Sequence, residues 1–260
     1  LAIYSFAYSL ERDNFQTVAM LGGRLGLYNQ PDLSHVFERL YVLKPTTVLG
    51  VPALWTSLHQ LYEGRVDHMR RTVGGSREAA EQATLDELAT SFGPQLEVVS
   101  SGTAPLTPAV REFLWRLFPE AFIGEGYGTQ ETGLITLENV VQPGVTVRLR
   151  DTMEYTSRDK PWPRGEICVK TPSLVGGYED ALQGEVSSSS FSKGGRLDGF
   201  FATGDVGELR KPKAIRRRGA SGRRKASAPP PSLHVIDRVK SLFKLSNGEY
   251  VSPLALEAIY

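Results

Sequence analysis

Apolar strands and amphipathic helices alternate through the first half of the chain, and this alternation limits the fold more than any other feature. The predicted strands are the runs 46–51, 96–100 and 121–123. The predicted helices are the runs 34–43, 52–62, 77–91 and 107–117. Strands that alternate with helices of this length form βαβ units, in which the strands pair in parallel. The sequence therefore predicts an α/β fold with helices flanking a largely parallel sheet.

Local signals place the starts and the buried faces of these helices. Val36, Leu40 and Leu43 recur at helical spacing, so we expect them on one buried face. Pro52 is suited to the first position of a helix, and Thr107 is suited to cap the helix that follows it.

The pattern changes after about residue 150. Short alternating strands between Pro and Gly turns predict that an α/β subdomain, 1–150, is followed by a smaller β-rich subdomain, 151–237. Residues 210–232 are low in complexity and cannot bury enough apolar area to offset the entropy lost on ordering. We interpret them as a disordered loop inserted between two strands. A phosphorylated basic loop or a nucleic-acid tether is the alternative interpretation.

Charge is unevenly distributed, although the formal net charge is only +1. Nine of the 30 basic residues lie in the insert 210–232: Arg210, Lys211, Lys213, Arg216, Arg217, Arg218, Arg223, Arg224 and Lys225. The other 21 basic residues stand against 29 acidic ones, which leaves about −8 on the rest of the chain. No aromatic residue interleaves the basic ones, so the insert has no stacking platform for bases. Because the rest of the chain is net acidic, we expect no nucleic-acid binding by the core.

Cysteine content and hydropathy exclude other classes of protein. The single cysteine, Cys168, rules out an internal disulfide framework, and its apolar surroundings at 165–169 predict a buried strand thiol. No apolar run is long enough to span a membrane and no signal peptide is recognisable, so we expect a cytoplasmic protein. The chain begins at Leu1 within an apolar segment, as expected of a fragment.

Two segments rich in small residues, 100–105 and 124–133, follow predicted strands. In an open parallel sheet, loops at the carboxyl ends of strands line the ligand crevice. Their glycines let main-chain N–H groups approach a phosphate or a purine, and the carboxylate of Glu131 is suited to Mg²⁺. Each segment alone is also compatible with a simple turn.

Two later segments add charged candidates. In the run 201–206, Asp205 occupies a predicted tight turn, where a carboxylate can accept hydrogen bonds from both hydroxyls of a ribose. An Asx-turn without a ligand is the alternative. In the run 235–253, Arg238 and two lysines flank an apolar strand, for which a solvent-exposed hairpin is the alternative.

In their order and spacing, these four segments resemble the adenylate-forming superfamily of acyl-CoA synthetases and related enzymes. Within that group the chain looks most like the adenylation domain of carboxylic acid reductases, through the runs 32–43, 51–55 and 159–166. The run 244–251 is also similar, but long-chain acyl-CoA synthetases share it. The resemblance implies a truncated N-terminal domain of this fold, with 238–260 as the start of a C-terminal lid subdomain.

The resemblance also implies a two-step reaction. A carboxylic acid, expected to be a fatty acid, attacks the α-phosphate of ATP with the help of Mg²⁺ and gives an acyl-adenylate and pyrophosphate. A thiol then takes the acyl group, from the phosphopantetheine of a carrier domain in the reductases or from CoA in the synthetases. In the reductases a separate domain, not expected in this chain, reduces the thioester with NADPH.

The resemblance assigns nucleotide contacts to residues in all four segments. These are Thr103, Ala104, Glu125, Gly126, Tyr127, Gly128, Asp205, Asp237, Arg238 and Lys244. Tyr127 is expected against the adenine ring, and Asp205 and Arg238 at the ribose. Glu131 is expected to hold Mg²⁺ during catalysis, and Lys240 matches the hinge between the adenylation and thioester-forming poses.

Departures from the family pattern count against activity of this chain by itself. The phosphate loop is expected upstream of Leu1, and the lysine that stabilises the adenylation transition state is expected beyond Tyr260. Gln130 stands where relatives have a catalytic threonine that contacts the α-phosphate. Tyr8 stands where many relatives have a histidine near the substrate carboxylate.

Three hypotheses follow. In the first, the chain is a fragment of the adenylation domain of an active enzyme. In the second, it is a degenerate relative that serves as a binding or interaction module. In the third, it binds nucleic acid through residues 210–232.

Overall fold

The computed structural model describes residues 9–28, 35–179, 186–187, 199–210, 231–239, 243–244 and 250–251. The chain divides into two compact units, Leu1–Gly126 (unit 1) and Tyr127–Tyr260 (unit 2). The domain limits expected at residues 150 and 237 stay predictions.

Unit 1 has the predicted α/β architecture. Its helices are α1 (Ser9–Met20), α2 (Val36–Leu43), α3 (Pro52–Thr72), α4 (Arg77–Phe92) and α5 (Pro108–Leu117). Its strands are β1 (Thr47–Gly50), β2 (Val98–Gly102) and β3 (Phe122–Thr129), the last of which continues past the unit boundary. β2 lies between β1 and β3 and is parallel to both, which confirms the parallel sheet.

The helix starts follow the predicted signals. Pro52 begins α3, and the Thr107 hydroxyl caps α5 by accepting a hydrogen bond from the main-chain N–H of Val110. The predicted end of α3 at residue 62 is wrong, because the helix continues to Thr72. Val66 is fully buried one turn beyond Tyr62, so the buried face of α3 continues past residue 62. Most residues in this part of the helix are charged or polar, so the apolar spacing is weak in the sequence.

The described residues of unit 1 pack around one apolar core. Trp55 is fully buried in it, and the indole N–H donates a hydrogen bond of 3.2 Å to the Ser100 carbonyl, which ties α3 to β2. Val36 and Leu40 are fully buried as predicted, whereas the predicted burial of Leu43 is wrong, since 37% of its surface is exposed. Leu43 is the last residue of α2, and Lys44 after it has left-handed backbone dihedrals that turn the chain out of the helix.

Unit 2 is built from antiparallel strands of two to ten residues, which confirms the β-rich character of this part of the chain. They are β4 (Gly133–Leu137), β5 (Val140–Val141), β6 (Thr146–Arg150), β7 (Arg164–Lys170), β8 (Tyr178–Glu179), β9 (Val186–Ser187), β10 (Phe201–Arg210), β11 (Ser232–Arg238), β12 (Phe243–Lys244) and β13 (Tyr250–Val251). Six of them follow one another in the order β4-β5-β11-β10-β7-β6, and β8-β9 and β12-β13 form separate pairs.

The antiparallel strands begin at Gly133, earlier than the change of pattern predicted at residue 150. β4 and β5 are joined by Glu138 and Asn139, and both residues have positive φ angles, 50° and 63°. Two such residues form the tight hairpin turn whose usual signal is Asn-Gly or Asp-Gly. Because this turn contains no glycine, the hairpin has a weak signature in the sequence.

Two further predictions from the sequence concern β7 and β10. Cys168 is buried in β7, and burial raises the pKa of its thiol, with a further contribution from the charge of Glu166. Arg210 at the end of β10 pairs with Ser232 at the start of β11, so the basic insert does connect two strands. The prediction of a disordered loop at 210–232 is wrong at both ends, because Arg210 belongs to β10 and Ser232 to β11. Residues 211–230 lie outside the described residues.

No helix in the described part of the chain is both long enough and apolar enough to cross a membrane.

Two leucines of α2 give a direct test of this packing. We expect Leu40→Ala to lower the free energy of unfolding by about 2–5 kcal/mol, because it leaves a cavity in the core. Leu43→Ala, the same change in the same helix, should lower it by less than about 1 kcal/mol because Leu43 is partly exposed. Urea unfolding of both variants measures the difference, and equal losses would contradict this description of α2.

Candidate functional site

A wide bulge in β10 is the feature on which the candidate site is built. In the pairing with β7, Ala202 is opposite Cys168 and Val206 is opposite Glu166, so the three residues 203–205 face Ile167 alone. Gly204, in the middle of the bulge, has a φ of +78°, which favours glycine. The sequence predicted a tight turn here, and the structure corrects this to a bulge within a strand of ten residues.

The bulge holds the carboxylate of Asp205 between a phenol and a guanidinium group. The hydroxyl of Tyr127 donates a hydrogen bond of 2.9 Å to Asp205 Oδ2. Arg238 is the pairing partner of Asp205 on β11, and its Nε lies 3.6 Å from Oδ1. Only 17% of the Asp205 side chain is exposed, against 65% of the Arg238 side chain. Burial raises the pKa of Asp205, and the Tyr127 hydrogen bond and the Arg238 charge oppose this shift.

The hydroxyl of Thr203 joins these groups to the neighbouring strand. It donates to the Ile167 carbonyl at 3.0 Å, and it accepts from the Asp205 N–H at 3.1 Å and from the Tyr127 hydroxyl at 3.3 Å. Sequence reasoning assigned no role to Thr203. A signal was present, because a threonine two residues before an aspartate can accept a hydrogen bond from the aspartate N–H.

Tyr127 acts as a fixed donor in this arrangement. Burial raises the pKa of its hydroxyl, and the charge of Asp205 raises it further, so the phenol keeps its proton. The contact with an adenine ring expected for Tyr127 stays a prediction.

Asp237, next to Arg238, is fully buried. Its Oδ1 accepts a hydrogen bond of 2.6 Å from the Arg238 N–H, and its Oδ2 has no hydrogen-bond partner among the described residues. A ligand can therefore reach the side chain of Asp237, a predicted nucleotide contact, only if this part of the strand moves.

The second small-residue segment is mostly strand, since β3 continues to Thr129 and only residues 130–132 form a turn. The predicted loop at 124–133 is corrected accordingly. Thr132 is fully buried and fixes the turn: its hydroxyl accepts from the Thr129 N–H at 3.2 Å and donates to the Gly133 carbonyl at 3.1 Å. A Cβ on Gly128 would lie 2.2 Å from the Gly133 carbonyl oxygen, so this position requires glycine.

Gln130 and Glu131 are the two residues that this turn presents. Gln130 is exposed, and Glu131 is half-buried and accepts a main-chain hydrogen bond of 2.9 Å from Val175. Within the described ranges, no three His, Cys, Asp or Glu side chains cluster in a way that could hold a metal ion. The Mg²⁺ role expected for Glu131 stays a prediction.

In unit 1, the carboxylate of Glu125 fixes the segment that follows β2. It accepts a hydrogen bond of 2.8 Å from the Leu106 N–H and forms an ion pair of 2.6 Å with Arg111 on α5. The predicted loop at 100–105 is shorter than expected, because residues 100–102 belong to β2. Thr103 and Ala104 are exposed, and Thr103 has a φ of +75°, which is strained for a β-branched residue.

Three other candidates have little or no description. Tyr8 and Lys240 lie outside the described residues. Lys244 is in β12, where it pairs with Tyr250.

The family model described as "AMP-binding enzyme" matches residues 1–179. A carboxylic acid reductase of Mycobacterium tuberculosis is 29% identical over 95% of this chain and 20% of its own length. Long chain acyl-CoA synthetase 6, peroxisomal, of Arabidopsis thaliana is 31% identical over 98% of this chain and 37% of its own length.

Solved structures of a carboxylic acid reductase are also similar to this chain. The A domain of the carboxylic acid reductase from Segniliparus rugosus, in complex with AMP and a co-purified carboxylic acid, is 25% identical and superposes with a TM-score of 0.77. The match covers 99% of this chain and 37% of that one. The A-PCP didomain of the same enzyme in complex with AMP superposes with a TM-score of 0.76 and is covered over 33%. The chain thus spans about a fifth to two fifths of the proteins that it matches.

The strained backbone at Thr103 predicts a stabilising substitution. We expect Thr103→Gly to raise the free energy of unfolding by roughly 0.5–1 kcal/mol, because the relief of the left-handed strain exceeds the extra entropy of the unfolded chain. The neighbouring change Ala104→Gly should lower the free energy by about 0.5 kcal/mol, since Ala104 does not have a positive φ. Urea unfolding of both variants checks the opposite signs, and a loss for Thr103→Gly would be inconsistent with the strain.

The buried carboxylate of Asp205 predicts a pH dependence. Because its pKa is raised in the folded state, the stability linked to this group is fully present below the unfolded pKa and is lost as pH rises through the folded value. Asp205→Asn should remove that loss, so above this pKa the variant should be more stable than the wild type. Urea unfolding between about pH 3 and pH 7 measures both curves.

Asp151 supplies a control of opposite sign. A main-chain hydrogen bond from Ser157 lowers the pKa of Asp151, so its contribution to stability is present above the unfolded pKa and is lost as pH falls through the folded value. Asp151→Asn should therefore reduce stability at neutral pH, whereas Asp205→Asn should increase it. Equal effects of the two substitutions would contradict the assignment for Asp205.

Proposed function

Because the chain belongs to the family of AMP-binding enzymes, we propose that it is part of a domain that activates a carboxylic acid with ATP as an acyl-adenylate. One observation carries the proposal: a largely buried carboxylate, Asp205, lies between the donor Tyr127 and the exposed cation Arg238. The activity, substrate and partners of the whole protein are proposals, since the chain spans only part of its relatives.

The Asp205 carboxylate has the acceptor capacity that a ribose requires. Within the part of the chain that the structure describes, its Oδ2 accepts one hydrogen bond, from Tyr127, whereas the separation of 3.6 Å between Oδ1 and Arg238 is too long for a hydrogen bond. Lone pairs on both oxygens therefore remain for two vicinal hydroxyls, which match the spacing of a carboxylate. Hydrogen bonds to a charged group in a partly desolvated position are stronger than those to a neutral group in water.

Arg238 supplies the positive charge. Its guanidinium group is mostly exposed and, among the described residues, makes a long contact with Asp205, so it can bind a ribose oxygen or a phosphate oxygen. The pairing of Arg238 with Asp205 across β10 and β11 keeps the two side chains on neighbouring strands. In the proposed complex, both groups bind the same nucleotide.

The remaining roles follow the family pattern. Thr103, Ala104 and the main chain at 125–128 would contact the nucleotide, with Lys244 as a further contact. Gln130 would lie near the α-phosphate, Lys240 would act as the hinge and Tyr8 would border the acyl pocket.

Glu131 would hold Mg²⁺ together with phosphate oxygens. When bound there, the ion would supply positive charge to the phosphates, while the substrate carboxylate forms its bond to the α-phosphorus and pyrophosphate leaves. The half-buried position of Glu131, in a turn fixed by Thr132, would keep its carboxylate in place without reorganisation.

The acyl acceptor distinguishes two versions of this function. The first is a carboxylic acid reductase, in which a carrier domain takes the acyl group and a separate NADPH-dependent domain completes the reduction; the similarity to the A-PCP didomain supports it. The second is a long-chain acyl-CoA synthetase, supported by the 31% identity to the Arabidopsis thaliana protein. In the full-length protein, transfer of labelled acyl groups to CoA or to an attached carrier separates the two versions.

Isothermal titration of the 260-residue chain with AMP tests the nucleotide site. We expect saturable binding by the wild type, and a loss of about 10- to 100-fold in Asp205→Ala, because a charged acceptor of ribose hydroxyls is removed. Binding should also weaken as pH falls through the raised pKa of Asp205, since a protonated carboxyl group has lost acceptor capacity.

Asp151→Ala is the control, because it removes an exposed aspartate of the same unit that is outside the proposed site. It should bind AMP as the wild type does. Absence of binding at millimolar AMP by a folded wild-type chain would remove the catalytic proposal and leave only the fold.

A further inference from the structure

We propose that Thr203 is a positioning residue of this nucleotide site, where its hydroxyl holds the Asp205 carboxylate and the Tyr127 phenol in the arrangement that a ribose requires. The inference rests on the proposed function, because it names what orients two groups assigned to the nucleotide there. Neither the family pattern used above nor the sequence patterns assigned a role to Thr203.

The first step of the argument is the position of Thr203 in the bulge. Residues 203–205 face Ile167 alone, so the regular ladder between β10 and β7 is interrupted at this point. The Thr203 hydroxyl donates to the Ile167 carbonyl at 3.0 Å and so takes the place of a main-chain donor. The bulge is thereby anchored on β7 while its other residues leave the ladder.

The second step is a count of donors and acceptors. A threonine hydroxyl has one proton and two lone pairs, and the proton of Thr203 is used for the Ile167 carbonyl. Its lone pairs accept from the Asp205 N–H and from the Tyr127 hydroxyl. The single phenol proton is therefore shared between Thr203 and Asp205 Oδ2, with the shorter distance to the carboxylate.

The Thr203 hydroxyl therefore orients two groups, the Asp205 carboxylate and the Tyr127 phenol. The hydrogen bond to the Asp205 N–H fixes the main chain from which the carboxylate projects, and the contact with Tyr127 limits the rotation of the phenol that holds Oδ2. Without the hydroxyl, the Asp205 N–H and the Ile167 carbonyl both lose this partner, and the carboxylate becomes free to take other rotamers. Removal of the Thr203 hydroxyl should therefore weaken the binding of the ribose hydroxyls and leave the binding of the base and the phosphate unchanged.

A matched control residue lies in the same unit. Thr152 is also half-buried, and its hydroxyl donates to the Tyr155 carbonyl at 3.3 Å and accepts from the N–H groups of Glu154 and Tyr155. It thus makes one donated and two accepted hydrogen bonds, as Thr203 does, but away from Asp205. A general effect of removing such a hydroxyl would appear equally in Thr152→Val.

The test is isothermal titration of the 260-residue chain with AMP and with 2′,3′-dideoxy-AMP. We expect Thr203→Val to weaken AMP binding about tenfold and to leave the binding of 2′,3′-dideoxy-AMP unchanged, because that nucleotide has no hydroxyls for Asp205 to accept from. Thr203→Ser, which keeps the hydroxyl, and Thr152→Val should bind both nucleotides as the wild type does.

The outcomes separate the inference from the proposed function. A wild-type chain that does not bind AMP overturns the proposed function and the inference with it. If the wild type binds and Asp205→Ala does not, the inference is overturned when Thr203→Val weakens both nucleotides equally, or when Thr203→Ser is as weak as Thr203→Val. Should Thr203→Val fail to fold, Thr203→Cys, whose thiol is a poor hydrogen-bond partner of similar size, takes its place in the same series.

Discussion

The ten residues of β10 are hydrogen-bonded to β7 along one edge and to β11 along the other, and the candidate site depends on how this strand stays paired through its bulge. On the β7 side the Thr203 hydroxyl supplies the missing donor, and on the β11 side the Gly204 carbonyl accepts from the Val239 N–H at 2.8 Å. The displaced carboxylate of Asp205 is therefore carried by a rigid element and not by a loop. A group held in this way needs little reorganisation when a ligand arrives.

Three candidate residues, one in unit 1 and two in unit 2, are in states that oppose folding. Asp205 is a largely buried charge with a raised pKa, Asp237 has a buried oxygen without a partner among the described residues, and Thr103 has a strained backbone. Such features persist where surrounding structure imposes them, and they concentrate at functional sites. Glu125 shows the opposite case, because its ion pair and hydrogen bond use the carboxylate to fasten the main chain of unit 1.

The sequence predicted well those features that follow from regular spacing. Apolar periodicity located β1, β2 and α2–α5, because burial of one face of a helix or strand dictates the pattern. The bulge at 203–205 was not predictable in this way, since it depends on pairing with two strands distant in sequence. The resemblance to the superfamily supplied Asp205 and Arg238 as candidates. The burial of Asp237 and the three hydrogen bonds of the Thr203 hydroxyl depend on the pairing of β10 with β7 and β11, which the sequence does not show.

The connection between β10 and β11 has a consequence for evolution and for engineering. Arg210 pairs with Ser232 at one end of the ladder, and Asp205 pairs with Arg238 at the other, about 17 Å away at the usual rise per strand residue. The register of the pair is set by the ladder itself, and the entropy of closing a connection grows only slowly with its length. Segments of very different length and composition can therefore replace one another between these strands while the Asp205–Arg238 pair is preserved. This makes the hairpin tip a permissive position for lineage-specific extensions, and equally for an inserted epitope or reporter.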